Sequence, residues 1–119
     1  MLAALAAPLA SIALGGCDEP IFNTAKLPKV KAEAFALMRT HPIGARASER
    51  EVPRAEWPPA IASLNPRWVA VRQGSVDIMT RTFFDGGWGY NVPRSVRDLP
   101  MPKRCYSEPT EGVFYHSPC

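Results

Sequence analysis

The sequence is poor in the residues that carry catalysis or bind metals. It contains 2 histidines, His41 and His116, and 3 cysteines in 119 residues. No serine or carboxylate lies at a spacing that predicts a catalytic triad, and spacing alone does not bring distant residues together. The sequence therefore assigns no catalytic residue, no metal site and no cofactor.

A strong excess of charge of one sign is also absent. The 14 Lys and Arg residues exceed the 11 Asp and Glu residues by a formal charge of +3. The basic side chains are dispersed along the chain, which argues against a nucleic-acid partner. Gly86-Gly87-Trp88-Gly89 is rich in glycine, but it lacks the lysine and the following helix of a phosphate-binding loop. We predict a tight turn there instead.

The first 16 residues contain no charge, yet their apolar run is short. Residues 2–14 are Ala, Leu and Ile, interrupted by Pro8 and Ser11. A transmembrane helix needs about 20 apolar residues, whereas this length is typical of the apolar region of a signal peptide. Leu14-Gly15-Gly16-Cys17 follows at once. Together these residues resemble the lipobox at which bacterial lipoproteins are lipidated and cut.

The resemblance implies a signal peptide at 1–16 and a thioether-linked diacylglycerol on Cys17, followed by a tether to residue 28. It places the chain in the cell envelope, held to a membrane by the lipid and facing the periplasm. In enteric bacteria Asp directly after the lipidated Cys favours the inner membrane, and Asp18 matches that rule. The outer membrane is the alternative. The one departure is that no Lys or Arg precedes the apolar run.

Lipidation of Cys17 would leave two cysteines, Cys105 and Cys119. In an oxidising compartment such a pair is expected to form a disulfide. The bridge would close a loop of about 15 residues, which stabilises a domain by ~3 kcal/mol in the chain-entropy model. The alternative is a zinc site that includes His116, but no fourth ligand is evident nearby.

Prolines exclude a mostly helical domain, because the sequence has 13 of them and each interior proline costs a helix ~3 kcal/mol. Apolar side chains recur at helical spacing over residues 29–39 and predict one helix. Its apolar face consists of Val30, Ala34, Leu37 and Met38. His41-Pro42 ends it, because a residue before proline disfavours helical backbone. Residues 43–59 are predicted to be a long loop.

Residues 67–92 lack proline and are the best candidate for a sheet. Two β-rich runs flank a turn at Gln73-Gly74, which pairs Val71 with Val76 and Val69 with Ile78. A second turn at 85–87 would pair Phe84 with Trp88 and Thr82 with Tyr90. Residues 105–119 are read as a tail with a turn at Glu108-Pro109 and a short strand at 112–115. We predict one small α+β domain over residues 29–119: one helix packed on a three-stranded antiparallel β-meander, with long proline-rich loops.

The second face of this meander offers a candidate partner surface. Arg81, Asp77 and Phe83 lie on it in the predicted register. The leading functional hypothesis is a lipid-anchored envelope protein with a small, non-catalytic domain that binds an envelope protein or a cell-wall component. The alternatives are a small periplasmic enzyme that uses His41 or His116 beside a carboxylate, and a structural accessory of an envelope complex.

Overall fold

In the computed structural model of the protein, the described residues are 24–83 and 86–119, without the side chain of Phe83. The predicted signal peptide and lipidation site, Cys17, lie outside this range. Among the described residues no helix has the length and apolar character needed to cross a membrane.

The described residues form two α-helices and six β-strands. In chain order the elements are α1 (Leu27–Thr40), β1 (Glu49–Glu51), α2 (Pro59–Ala62), β2 (Trp68–Arg72), β3 (Ser75–Phe83), β4 (Gly86–Pro93), β5 (Tyr106–Thr110) and β6 (Val113–His116). The strands make one antiparallel sheet in the order β1-β2-β3-β4-β6-β5.

The predicted three-stranded meander is wrong, because the sheet has 6 strands. β1 comes from the segment predicted to be a loop, and its three residues are all exposed, so it shows no alternation of apolar and polar side chains. β5 and β6 come from the predicted tail. Pro109 lies within β5, not in a turn. An edge strand such as β5 tolerates a proline, because one of its sides forms no ladder.

One of the two predicted strand registers is confirmed and the other is wrong. Val71 pairs with Val76, as the turn at Gln73-Gly74 predicts. Trp88, however, pairs with Arg81 instead of Phe84. The register of β3 against β4 shifts between Met79 and Arg81. The offset from the predicted pairing is already present at the turn end of the two strands, where Phe83 pairs with Gly86. The β-bulge between Met79 and Arg81 shifts the register by one residue more.

Helix α1 packs on one face of the sheet, which we call the helix face. The predicted apolar face of α1 is confirmed, since Leu27, Val30, Ala34, Leu37 and Met38 are buried. The sheet residues in this core are Val69, Val71, Val76, Ile78, Tyr90, Val92 and Val113. Glu33 fastens α2 to α1, because its carboxylate accepts hydrogen bonds from the backbone N–H groups of Ala60 and Ile61 at 3.0 and 2.8 Å.

Candidate functional site

The opposite face of the sheet, which we call the polar face, carries a row of buried polar side chains. Residues two apart in a strand, and residues paired across strands, share a face of a sheet. Asp77 pairs with Asn91, and Asn91 pairs with Phe114. Tyr106 and His116 pair at the far edge. The polar face therefore consists of Arg72, Ser75, Asp77, Asn91, Tyr106 and His116, drawn from five strands.

Asp77 is the centre of a hydrogen-bonded network on this face. One carboxylate oxygen accepts a hydrogen bond from Nε of Arg72, and the other accepts one from the amide of Asn91. Asn91 is 0% exposed. Arg72 also lies 3.4 Å from Glu49 through Nη2. Partial burial works against the charged guanidinium, but the contacts with Asp77 and Glu49 outweigh it and raise the pKa of Arg72. The buried carboxylate is therefore compensated by a permanent positive charge.

Four buried polar atoms on the polar face have no hydrogen-bond partner among the described residues. They are Ser75 Oγ, Asn91 Oδ1, Tyr106 Oη and His116 Nδ1. An unsatisfied buried polar group costs about 1–3 kcal/mol, and native proteins hold few of them. Any ligand or solvent group that completes their hydrogen bonding must therefore approach from this face.

A pocket of about 160 Å³ is lined in part by Tyr106 and His116, the residues that carry two of these atoms. Its lining is mainly apolar. The polar side chains in the lining are Arg72, Asp77, Tyr106 and His116, and the apolar ones are Met79, Pro100, Met101 and Pro118. Pockets for drug-sized ligands measure about 300–1,000 Å³. This one therefore suits a smaller group, such as one side chain or a small molecule.

A glycine keeps one wall of this pocket closely packed. A Cβ atom on Gly87 would lie 2.3 Å from the carbonyl oxygen of Arg81 and 2.7 Å from Sδ of Met79. No side chain fits at that position without moving the strand beside it. A larger concavity of about 370 Å³ lies between α1 and the β5–β6 turn, but none of the four unpartnered atoms belongs to its lining.

The surroundings of Tyr106 keep its hydroxyl group protonated. Burial raises the pKa of its hydroxyl, and the negative charge of Asp77 adds to the rise. The backbone N–H of Met101 is close enough to counteract the rise in part, although its geometry is not that of a hydrogen bond. The phenol therefore stays protonated in neutral solution. It can donate a hydrogen bond to a ligand whose acceptor reaches it.

The two histidines have different surroundings. His41 is 8% exposed. Its Nδ1 lies 2.8 Å from Oγ1 of Thr40, and its Nε2 lies 2.7 Å from Oε1 of Glu56. Both ring nitrogens are thus used in fixing the end of α1. His116 instead lines the pocket, where its ring meets that of Tyr106 edge-on at 5.6 Å between centroids.

The candidate partner surface is arranged differently from the prediction. Asp77 is buried in the network described above. Arg81 is exposed, and its guanidinium lies 3.8 Å from the centre of the Trp88 ring. Because of the bulge, Arg81 pairs with Trp88 while Met79 pairs with Gly89, so Arg81 faces away from Asp77. The side chain of Phe83 lies outside the described residues.

The predicted disulfide between Cys105 and Cys119 is present, with 5.8 Å between the Cα atoms. It joins the start of β5 to the chain beyond β6, and Cys119 is part of the pocket lining. No group of three or more His, Cys, Asp or Glu side chains in the described part of the chain could hold a metal ion.

Sequence reasoning missed most of this site. Arg72, Asn91 and Tyr106 were not predicted to contribute. Tyr106 reaches this face only through the pairing of β4, β6 and β5, whereas Arg72 is five residues from Asp77 on the hairpin that the sequence did predict. The available signal was a polar residue within a β-rich, apolar run, as with Asp77 and Asn91. No family model, curated protein or solved structure matches this chain.

Proposed function

We propose that this chain is a lipid-anchored protein of the bacterial cell envelope whose small domain binds a partner through the pocket on the polar face. The observation that carries the binding role is the pocket's position beside Tyr106 and His116, which hold two of the four unpartnered polar atoms. A ligand that supplied their missing hydrogen bonds would offset a cost of about 1–3 kcal/mol for each.

Binding is favoured over catalysis by the way Asp77 is used. Both of its carboxylate oxygens already accept hydrogen bonds, one from Arg72 and one from Asn91. In a catalytic triad a carboxylate accepts a hydrogen bond from the histidine and orients its ring. Asp77 is committed to other donors and does not supply that contact to His116.

The binding role is tested with two single substitutions at the pocket. Detergent-solubilised envelope proteins and soluble cell-wall fragments are passed over the immobilised full chain, and captured material is measured by direct titration. Tyr106→Phe removes only a hydroxyl, and His116→Ala removes the ring. Each should weaken binding at least tenfold.

Tyr115→Phe is the matched control, because Tyr115 lies on the helix face and is absent from the pocket lining. It should leave binding unchanged. Equal binding by the wild type and both pocket variants would contradict the proposed site.

The anchor rests on the resemblance of residues 14–17 to a lipobox. Metabolic labelling with a clickable fatty acid should label the wild type and leave Cys17→Ser unlabelled and released from membranes. Mass spectrometry should find a mature chain that begins at Cys17 and carries acyl mass. A native chain that begins elsewhere, without an acyl group, would remove the anchor from the proposal.

A small enzyme is the second candidate, because His116 and a carboxylate, Asp77, line the same pocket. Turnover of an envelope substrate by the purified chain, abolished by His116→Ala but kept in His41→Ala, would favour this alternative. Binding without turnover would favour the first proposal.

A further inference from the structure

The disulfide lies directly beside the two polar residues of the pocket. Cys105 immediately precedes Tyr106, and Cys119 follows His116 by three residues. Tyr106 and His116 are themselves a pair between β5 and β6. The bridge therefore closes the open end of this hairpin next to the proposed site.

The chain after β6 forms one wall of the pocket. β6 ends at His116, and Ser117, Pro118 and Cys119 all belong to the lining. These three residues form no hydrogen bond with the described part of the chain. The disulfide is thus the bond that holds this wall in place, apart from ordinary packing.

We propose that the Cys105–Cys119 disulfide is a redox control of the pocket. The oxidised protein has a complete pocket, whereas reduction releases residues 117–119, removes one wall and exposes the His116 ring. This inference rests on the proposed binding function, since it assigns the regulation of the same site. The oxidised protein binds the partner, and the reduced protein releases it.

The reaction is a thiol–disulfide exchange with a dithiol reductant. A thiolate of the reductant attacks one sulfur of the bridge, which breaks the S–S bond and forms a mixed disulfide. The second thiol of the reductant then displaces the protein sulfur. Two electrons and two protons end on Cys105 and Cys119, and the reductant becomes a disulfide. The reductant can reach the disulfide, because Cys119 is exposed and Cys105 is partly exposed.

The sheet should survive this reaction. β6 stays paired with β4 through Gly89, Tyr90 and Asn91, and neither cysteine belongs to the core under α1. Reduction is therefore expected to act on the pocket and not on the fold.

The chain supplies its own reporters for a test that needs no ligand. Met79 and Met101 line the pocket, whereas Met38 is buried under α1. The full chain is labelled with ¹³C at the methionine methyl groups, and its spectrum is recorded before and after dithiothreitol. Xenon serves as the probe of pocket occupancy, because it enters small apolar cavities.

We expect reduction to shift the Met79 and Met101 resonances and to lower their xenon-induced shifts at least twofold, while Met38 stays in place. The double variant Cys105→Ser/Cys119→Ser should show the reduced spectrum with or without dithiothreitol. Unchanged Met79 and Met101 resonances in the reduced wild type would overturn the proposal. Loss of the Met38 resonance would overturn it as well, because reduction would then unfold the domain.

The outcome is separable from that of the proposed function. If the methionine reporters respond to reduction but no envelope component binds, the redox control stands and the binding role fails. If a component binds equally well to the oxidised and reduced protein, the binding role stands and the redox control fails.

Discussion

The two faces of the sheet bury different kinds of side chain. The helix face buries apolar side chains such as Val76 and Ile78, both 0% exposed, against α1. The polar face buries Asn91 to the same extent, but leaves one of its atoms unpartnered. Burial of apolar area stabilises the fold, whereas burial of unsatisfied polar atoms opposes it. We therefore expect the stability of the domain to come mainly from the helix face, and the binding proposed for this protein to use the polar face.

The largest effect on stability is expected on the helix face. Ile78→Ala deletes buried carbon atoms from the core and leaves a cavity, which should lower the free energy of unfolding by about 2–5 kcal/mol. Urea denaturation followed by circular dichroism measures the change. A loss smaller than 1 kcal/mol would mean that the helix face is not the main source of stability. The pocket reporter Met101, which is not a neighbour of Ile78 in the chain, should not respond in the folded protein.

A smaller loss of stability is expected when the charge network on the polar face is disrupted. Asp77→Ala removes the acceptor for Arg72 and Asn91 and leaves a partly buried guanidinium without its nearest carboxylate. We expect a loss of about 1–3 kcal/mol, below the value for a fully buried pair because the Arg72 side chain is 36% exposed. The same denaturation experiment measures it.

The double variant Asp77→Ala/Arg72→Ala distinguishes the causes. If the loss comes from the unpaired guanidinium, the double variant should recover part of the stability lost in the single variant. No recovery would show that Asp77 acts through Asn91 or through packing instead.

Raising the pH above neutrality should lower the stability by a smaller amount, through tyrosines on both faces of the sheet. Burial raises the pKa of Tyr90 on the helix face and of Tyr106 on the polar face. The unfolded chain therefore loses these protons first, near the ordinary value of about 10. Stability is complete below that value and declines as the pH rises toward the pKa of the folded state.

The decline should be measurable as a falling midpoint of urea unfolding between neutral pH and pH about 11. Tyr106→Phe and Tyr90→Phe should each flatten the decline, because each removes one titrating group. A decline that is unchanged in both variants would show that other groups carry the alkaline transition.

The sequence predicted the local features of this fold and missed the non-local ones. The apolar stripe of α1 and the pairing of β2 with β3 depend on residues close in the chain, so periodicity and turn chemistry were sufficient. The predicted register of β3 against β4 is wrong from the turn onward, since Phe83 pairs with Gly86, and the bulge between Met79 and Arg81 adds a further shift of one residue. β1 and β5 were missed because short, exposed edge strands owe their structure to partners far along the chain.

The site was even less predictable for the same reason. Its polar side chains come from β2, β3, β4, β5 and β6, and only the assembled sheet brings them to one face. The sequence did single out Asp77 and His116, but it assigned them to separate regions. The one long-range feature that it predicted, the disulfide, came from the odd number of cysteines and not from geometry.

The smallest change in stability should come from the residue that matters most for the proposed binding. Tyr106→Phe removes a buried hydroxyl that has no partner among the described residues, so no folded-state hydrogen bond there is lost. The unfolded chain, in contrast, loses the solvation of that hydroxyl. We expect the free energy of unfolding to stay unchanged or to rise by up to about 1 kcal/mol, while binding falls. A loss of stability above 1 kcal/mol would mean that the hydroxyl is satisfied within the fold and that Tyr106 stabilises the domain, as the residues of the helix face do.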